Sequence, residues 1–106
     1  MNKVILKGRL VKDVEAKETG KGKNKLTIAN LTIAVDRRDK DKGADFIRCT
    51  AFGSTAEFLD EYFEKGKEIL IEGRWETDSY ENKDKETVYT NTCIIEKVEF
   101  CGSKKD

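Results

Sequence analysis

The chain has 106 residues, of which 40% are charged and 37% hydrophobic, and its 21 basic residues balance its 21 acidic ones. This length is enough for one domain that folds without disulfides or metal, and it is too short for two domains. Histidine is absent and the three cysteines show no CxxC spacing, so the commonest general base and the usual zinc-site patterns are missing. We therefore predict a protein that is not an enzyme and that has no cofactor and no metal site.

The first half of the chain predicts three strands separated by polar turns. The segment "NKVILKGRLV" is typical of a long strand with a bulge or bend at Gly8. The segment "LTIANLTIAV" is also typical of a strand, and its apolar phase changes between Ile28 and Leu31, which predicts a second bulge or a coil. After a polar loop, "ADFIRCTAF" is the third predicted strand.

The second half predicts one helix and two more strands. In "STAEFLDEYFEKG" apolar residues recur with helical spacing, Ser54 and Glu57 have the spacing of a capping box, and Gly66 marks the end. The segments "KEILIEGRWETDSY" and "VYTNTCIIEKVEF" flank the polar hairpin tip "ENKDKET". The order β-β-β-α-β-β predicts an all-β OB-fold, a five-stranded Greek-key barrel with one helix between strands 3 and 4. We assign this domain to residues 1–100 and a short polar C-terminal end to residues 101–106.

The cellular location follows from what the sequence lacks. The N-terminal segment has no apolar run long enough for a signal peptide, and no segment is long enough to span a membrane. An odd number of cysteines fits a reducing compartment. We therefore expect a cytoplasmic protein that does not bind a membrane.

The third strand has two chemically different faces, because side chains alternate along a strand. The inward face carries Ile47, Cys49 and Ala51. The other face carries Phe46, Arg48, Thr50 and Phe52. Aromatic rings stack on any nucleobase, and arginine supplies a charge for phosphate, so this face fits single-stranded nucleic acid. The rings could instead pack under a loop or in a subunit contact.

Other aromatic and basic residues divide by their surroundings. Trp75 shares strand parity with Ile69 and Ile71, which favours a core position. Lys21 and Lys23 have no acidic neighbour closer than Glu18, so both are candidates for phosphate contacts. Further candidates are Arg38, in a loop of mixed charge, and Lys3 and Arg74, on predicted strands.

Several segments resemble bacterial-type single-stranded DNA-binding proteins over residues 1 to about 100. These segments are "MNKVILKGRLVKD", "LTIAVDR", "ADFIRCTAFG", "AEFLDEYFEKG", "IEGRWETDSYEN" and "VYTN". The resemblance implies a protein, usually a homotetramer, that binds single-stranded DNA without sequence preference in replication, recombination or repair. It assigns base stacking to Phe46, Phe52 and Tyr80. It also places Arg48, Lys65 and Arg37 along the DNA path and matches Tyr62 to a common helix tyrosine.

Two departures from the family pattern affect these expectations. Asp39 stands at or near the place where many members carry another stacking aromatic, so we expect a weaker or shorter DNA path. The sequence stops at "FCGSKKD", without the acidic tip that recruits partner proteins, which argues against tail-mediated recruitment. Two alternatives remain: a primosome-type or RNA-binding relative of the same fold, and an oligomerising OB-fold interaction module.

Overall fold

The computed structural model describes residues 1–101 and has six strands and one α-helix in that range. Residues 102–106, most of the predicted polar C-terminal end, lie outside the described residues. The strands are β1 (Val4–Leu10), β2 (Glu15–Thr19), β3 (Leu26–Asp36), β4 (Ala44–Phe52), β5 (Glu68–Glu81) and β6 (Thr87–Phe100), and α1 is Gly53–Tyr62. Two short 3-10 turns, Gly22–Asn24 and Lys40–Lys42, lie in the predicted polar loops. Within residues 1–101 no helix is both long and apolar enough to cross a membrane.

The strands form one barrel-like sheet in the order β1-β5-β6-β4-β3-β2, which an additional β1–β3 pairing closes. Strand β1 pairs with β5 from Val4 to Arg9 and then reaches β3, where Leu10 lies opposite Ile33. The helix between β4 and β5 packs on β3, β4, β6 and β2 at one end of the barrel. This arrangement confirms the predicted OB-fold, with the helix in the predicted place.

Strand β2 is an addition to the predicted five strands. It pairs along its whole length with β3, from Glu15 opposite Asn30 to Thr19 opposite Leu26. Four of its five residues are exposed, and only Ala16 is partly buried against the core. The sequence "EAKET" therefore lacks the apolar alternation by which a half-buried strand is predicted.

The predicted bulges are in different places from the observed one. At Gly8 the register with β5 is continuous; the glycine is required because a Cβ there would collide with the Ala34 carbonyl, where β1 crosses β3. The β3–β4 register is also continuous from Ile28 to Asp36, so the bulge or coil predicted between Ile28 and Leu31 was wrong. The register shift lies instead between β5 and β6, at Glu72 and Gly73.

The core is built from alternate residues of the strands and from one side of the helix. Its buried members include Ala29, Leu31, Ile33, Cys49, Ala51, Ala56, Leu59, Phe63, Ile69 and Ile71. Burying one large aliphatic side chain contributes about 1.5–3 kcal/mol, so these residues provide much of the driving force for folding. The predicted inward face of β4 is confirmed, with Cys49 and Ala51 buried and Ile47 partly buried.

The helix is shorter than predicted and lacks the predicted capping box. It begins at Gly53, with Phe52 as N-cap and without a side-chain capping bond. Ser54 therefore lies inside the helix, and Glu57 accepts a hydrogen bond from the Thr27 hydroxyl at 3.4 Å instead. The helix ends at Tyr62, before Gly66, which has a positive φ of 89°.

Candidate nucleic-acid interface

The outer face of β4 presents the two predicted stacking rings to solvent. Phe46 is 67% exposed and Phe52 is 43% exposed, so neither ring is sealed in the core of this chain. The two rings are six residues apart, which is about 20 Å at the rise of a strand. Between them, the Thr50 hydroxyl donates to the Asn30 side-chain oxygen at 2.9 Å, which ties the outer face of β4 to that of β3.

A cleft opens between β4 and β6 because these strands are hydrogen-bonded over a short distance. Their parallel ladder has two registered pairs, Cys49 with Cys93 and Thr50 with Ile94. Toward the β5–β6 hairpin the strands separate and leave a cavity of about 480 Å³, the hairpin cleft. The lining residues of the hairpin cleft are Phe46, Ile47, Arg48, Trp75, Tyr80, Val88, Tyr89, Thr90 and Asn91.

The hairpin cleft brings together three of the predicted site residues that are distant in the sequence. Phe46 and Arg48 line its β4 side, and Tyr80, which is 57% exposed, lies on the hairpin side. Arg48 also lines a second concavity of about 320 Å³ on the β3–β4 face, together with Asn30, Thr50 and others. Arg48 thus stands between two adjoining depressions, while Phe52 and Tyr62 line neither of them.

Three of the predicted phosphate-binding cations are already engaged with carboxylates. Lys3 pairs with Glu72 at 2.5 Å, Arg37 with Asp45 at 3.0 Å, and Arg74 with both Glu76 at 3.0 Å and Glu96 at 3.3 Å. The hydrogen bond from Lys3 holds the pKa of the Glu72 carboxyl below its ordinary value, and the Glu76 and Glu96 carboxylates raise the pKa of Arg74. A phosphate must compete with these carboxylates for the same cations.

The remaining predicted cations are exposed and have no salt bridge within residues 1–101. These residues are Arg48, Lys65, Arg38, Lys21 and Lys23. Arg48 lines both depressions, whereas the other four line neither. Lys65 follows the helix in a loop fixed by its amide, which donates to the Asp13 carboxylate at 2.8 Å. Lys21 and Lys23 lie around the 3-10 turn between β2 and β3.

Sequence reasoning missed part of the hairpin side of the cleft. Tyr89 is 76% exposed and lines the cleft, although its segment "VYTN" served only to identify a strand and to support the family resemblance. Trp75 does pack against the core as predicted, but it is only partly buried and also lines the cleft. Because Tyr89 shares strand parity with the buried Cys93, alternation along β6 gives no sequence signal that could have singled it out.

The cysteines are free and provide no metal site in the described part of the chain. Cys49 and Cys93 are buried, Cys101 is partly buried, and residues 1–101 contain no group of three or more metal-ligating side chains. Burial raises the pKa of the Cys49 thiol to about 12, so the thiol is protonated at neutral pH. A protonated, buried thiol is a poor nucleophile and a poor metal ligand.

Comparison with known proteins adds a family match to this geometry. The model described as "Single-strand binding protein family" matches residues 1–101. A "Single-stranded DNA-binding protein" of Clostridium perfringens is 41% identical over 104 residues, which cover 97% of this chain and 67% of that protein. The protein of the same name from Fusobacterium nucleatum is 44% identical, with 98% and 69% of the two chains covered. A "Single-stranded DNA-binding protein 3" of Clostridium acetobutylicum is also 44% identical, covering 94% of this chain and 70% of its own.

Proposed function

Because this chain belongs to the single-strand binding protein family, we propose that it binds and protects single-stranded DNA without sequence preference during replication, recombination or repair. The observation that carries the proposal is the hairpin cleft, which is lined by the exposed side chains of Phe46, Arg48 and Tyr80. Members of this family are DNA-binding proteins rather than enzymes. Rings and a cation in one open cleft fit a flexible polymer that offers flat bases and charged phosphates.

Stacking on Phe46, Phe52 and Tyr80 supplies the part of the affinity that depends on bases. Each ring that stacks on a base contributes about 1–3 kcal/mol, whichever base it is, because every base has a π-face. A duplex hides these faces in its own stack, so the rings favour unpaired DNA. The separation of Phe46 and Phe52 leaves room for more than one nucleotide between them.

Arg48 is the principal phosphate-binding cation of the proposal, because it lies between both depressions and has no carboxylate partner within residues 1–101. Lys65, Arg38, Lys21 and Lys23 extend the contact to strand segments outside the cleft. Arg37, Lys3 and Arg74 contribute less, since each must exchange a carboxylate for a phosphate.

We further propose that the protein is a homo-oligomer, a tetramer as the family resemblance implies, and that it acts in the cytoplasm. Strand β1 supports an assembly, because beyond its pairing with β5 it meets β3 only at Arg9 and Leu10. The other edge of residues 4–8 thus has no strand partner within residues 1–101 and could pair with a second copy. Ile5 on the same strand is 63% exposed.

The test is a titration of the protein with single- and double-stranded oligonucleotides of equal length at two salt concentrations. We expect much tighter binding to the single strand, with an affinity that falls as salt rises. Equal affinity for the duplex would contradict the proposal. Competition with an RNA oligomer distinguishes an RNA-binding relative, and the mass in solution by sedimentation tests the tetramer. Negligible binding to every nucleic acid, with a Phe46→Ala change in oligomer size, would instead indicate an assembly module.

A further inference from the structure

We propose that Trp75, Tyr89 and Asn91 form a base-binding subsite within the hairpin cleft, and that this subsite prefers bases with a ring carbonyl over adenine. The inference rests on the proposed function, because it concerns a base of the same bound strand. It adds residues to which neither sequence nor family resemblance gave a role in binding, and it gives the cleft a modest chemical preference.

The three side chains share one face of the β5–β6 hairpin. In the antiparallel register Trp75 lies opposite Cys93, Thr77 opposite Asn91, and Ser79 opposite Tyr89. Registered residues of antiparallel strands have side chains on the same face, so Trp75, Asn91 and Tyr89 form a diagonal row. Cys93 is fully buried beneath this row, whereas Tyr89 at its other end is 76% exposed. The row therefore runs from the core out into the cleft.

The indole of Trp75 fixes the orientation of the Asn91 amide. Its Nε1–H donates to the Asn91 Oδ1 at 3.2 Å. An indole nitrogen can only donate, so the amide atom that faces it must be the oxygen. The Asn91 NH2 group consequently points away from the indole, and within residues 1–101 it donates to no protein acceptor. The exposed Asn91 side chain thus presents two N–H donors at the lining of the cleft.

A fixed pair of donors distinguishes the bases by their edges. Thymine, cytosine and guanine carry a ring carbonyl that can accept from the amide, whereas adenine has none. An asparagine recognises adenine by using its oxygen and its nitrogen together, and here the oxygen is engaged by the indole. Adenine can accept only through its ring nitrogens, and at N1 or N7 the neighbouring amino group would face the second amide donor of Asn91. Phe46 and Tyr89 supply ring faces for any base, so the preference is modest.

Trp75, whose ring is half-buried, acts in this subsite by positioning the Asn91 amide. Loss of its N–H, while the ring is retained, should free the amide to rotate and to pair with adenine. Trp75→Phe is therefore the informative variant, since phenylalanine keeps most of the contact with the core. Trp75 is also the only tryptophan of the chain, so intrinsic tryptophan emission reports on this subsite alone.

The experiment measures the affinities of oligothymidylate, oligodeoxycytidylate and oligodeoxyadenylate by anisotropy of labelled strands. For each variant we compare two ratios, the Kd for oligodeoxyadenylate divided by the Kd for oligothymidylate or for oligodeoxycytidylate. The self-stacking of the free adenine strand affects all variants equally and therefore cancels in the comparison between them. Asn91→Ala should reduce both ratios by about two- to tenfold, the worth of one hydrogen bond. Trp75→Phe should reduce them similarly, and the double variant should reduce them no further. Thr87→Ala, on the same strand as Asn91 but outside the cleft lining, is the control and should leave both ratios unchanged.

Two outcomes would overturn the inference without affecting the proposed function. One is that single-stranded DNA binds with the expected affinity while the fluorescence emission of Trp75 stays unchanged at saturation. The other is an unchanged set of ratios in a folded Asn91→Ala protein. In contrast, failure of the proposed function would appear as the absence of binding to all three strands in the unmodified protein.

Discussion

Truncation of Phe46 to alanine should separate DNA binding from folding. The ring is 67% exposed, so about one third of it is removed from water in the folded chain. Full burial of a phenylalanine is worth about 1.5–3 kcal/mol, so its loss here should lower the free energy of unfolding by roughly 0.5–1 kcal/mol. Loss of a stacked base costs about 1–3 kcal/mol of binding. The Kd for single-stranded DNA should therefore rise by about five- to 150-fold.

Phe100→Ala is the matched control for this variant. Phe100 is a phenylalanine of similar exposure, 53%, but its ring stacks on Phe63 at a centroid distance of 5.1 Å, outside the cleft. Its truncation should cost at least as much stability as the Phe46 variant and leave the Kd nearly unchanged. Urea denaturation gives the stabilities, and anisotropy of a labelled oligothymidylate gives the affinities.

The decisive comparison is between the two phenylalanine variants in the same buffer. A Phe46→Ala protein that is folded and binds as tightly as the parent would refute the assignment of this ring to stacking. An equal loss of affinity in the Phe100→Ala protein would show that binding energy is not concentrated at the cleft. Either result would require a different path for the strand.

Arg48→Ala should reduce the slope of log K against log salt by about 0.7, the value for one phosphate contact of a single strand. Arg74→Ala should reduce this slope less, because Glu76 and Glu96 already neutralise the Arg74 guanidinium. Salt titrations of both variants measure the two slopes. Gly73→Ala should lower the stability in urea by about 1–3 kcal/mol or more, since a Cβ at this position would collide with the Ile94 carbonyl. Burial raises the Cys49 pKa to about 12, above its value in the unfolded chain, so the folded state retains a proton that the unfolded state releases. The free energy of unfolding is therefore unaffected by Cys49 below about pH 8.5, and above that pH it should fall by up to about 1.4 kcal/mol per pH unit. In denaturation experiments, the stability of the Cys49→Ala protein should decline less steeply at alkaline pH than that of the parent.

Local periodicity explains why the fold, and the exposure of the β4 side of the candidate cleft, could be predicted. Along β4 the side chains alternate between the core and solvent, so the sequence itself separates Cys49 and Ala51 from Phe46 and Phe52. The helix likewise shows its buried side at Ala56 and Leu59. These signals arise within a few residues of the chain and need no knowledge of its neighbours.

The parts that were missed depend on contacts between distant segments. Strand β2 is an exposed edge whose position is set by pairing with β3, and its own residues carry almost no apolar signal. The half-buried state of Trp75 depends on where β4 and β6 separate, which no pattern within β5 records. The partner of Lys3, Glu72, is 69 residues away in the chain.

The distribution of paired and unpaired charge explains how a chain with no net charge can bind a polyanion. A surface ion pair contributes little to stability. A cation that is already paired also gains little from binding a phosphate, because it exchanges one anion for another. Six cations of residues 1–101 are paired with carboxylates in this way: Lys3, Lys7, Lys12, Lys25, Arg37 and Arg74. Arg48 has no carboxylate partner within residues 1–101, and it lines both depressions, one of them together with the exposed ring of Phe46. We therefore expect the location of the unpaired cations, rather than the total charge, to determine where a single strand binds.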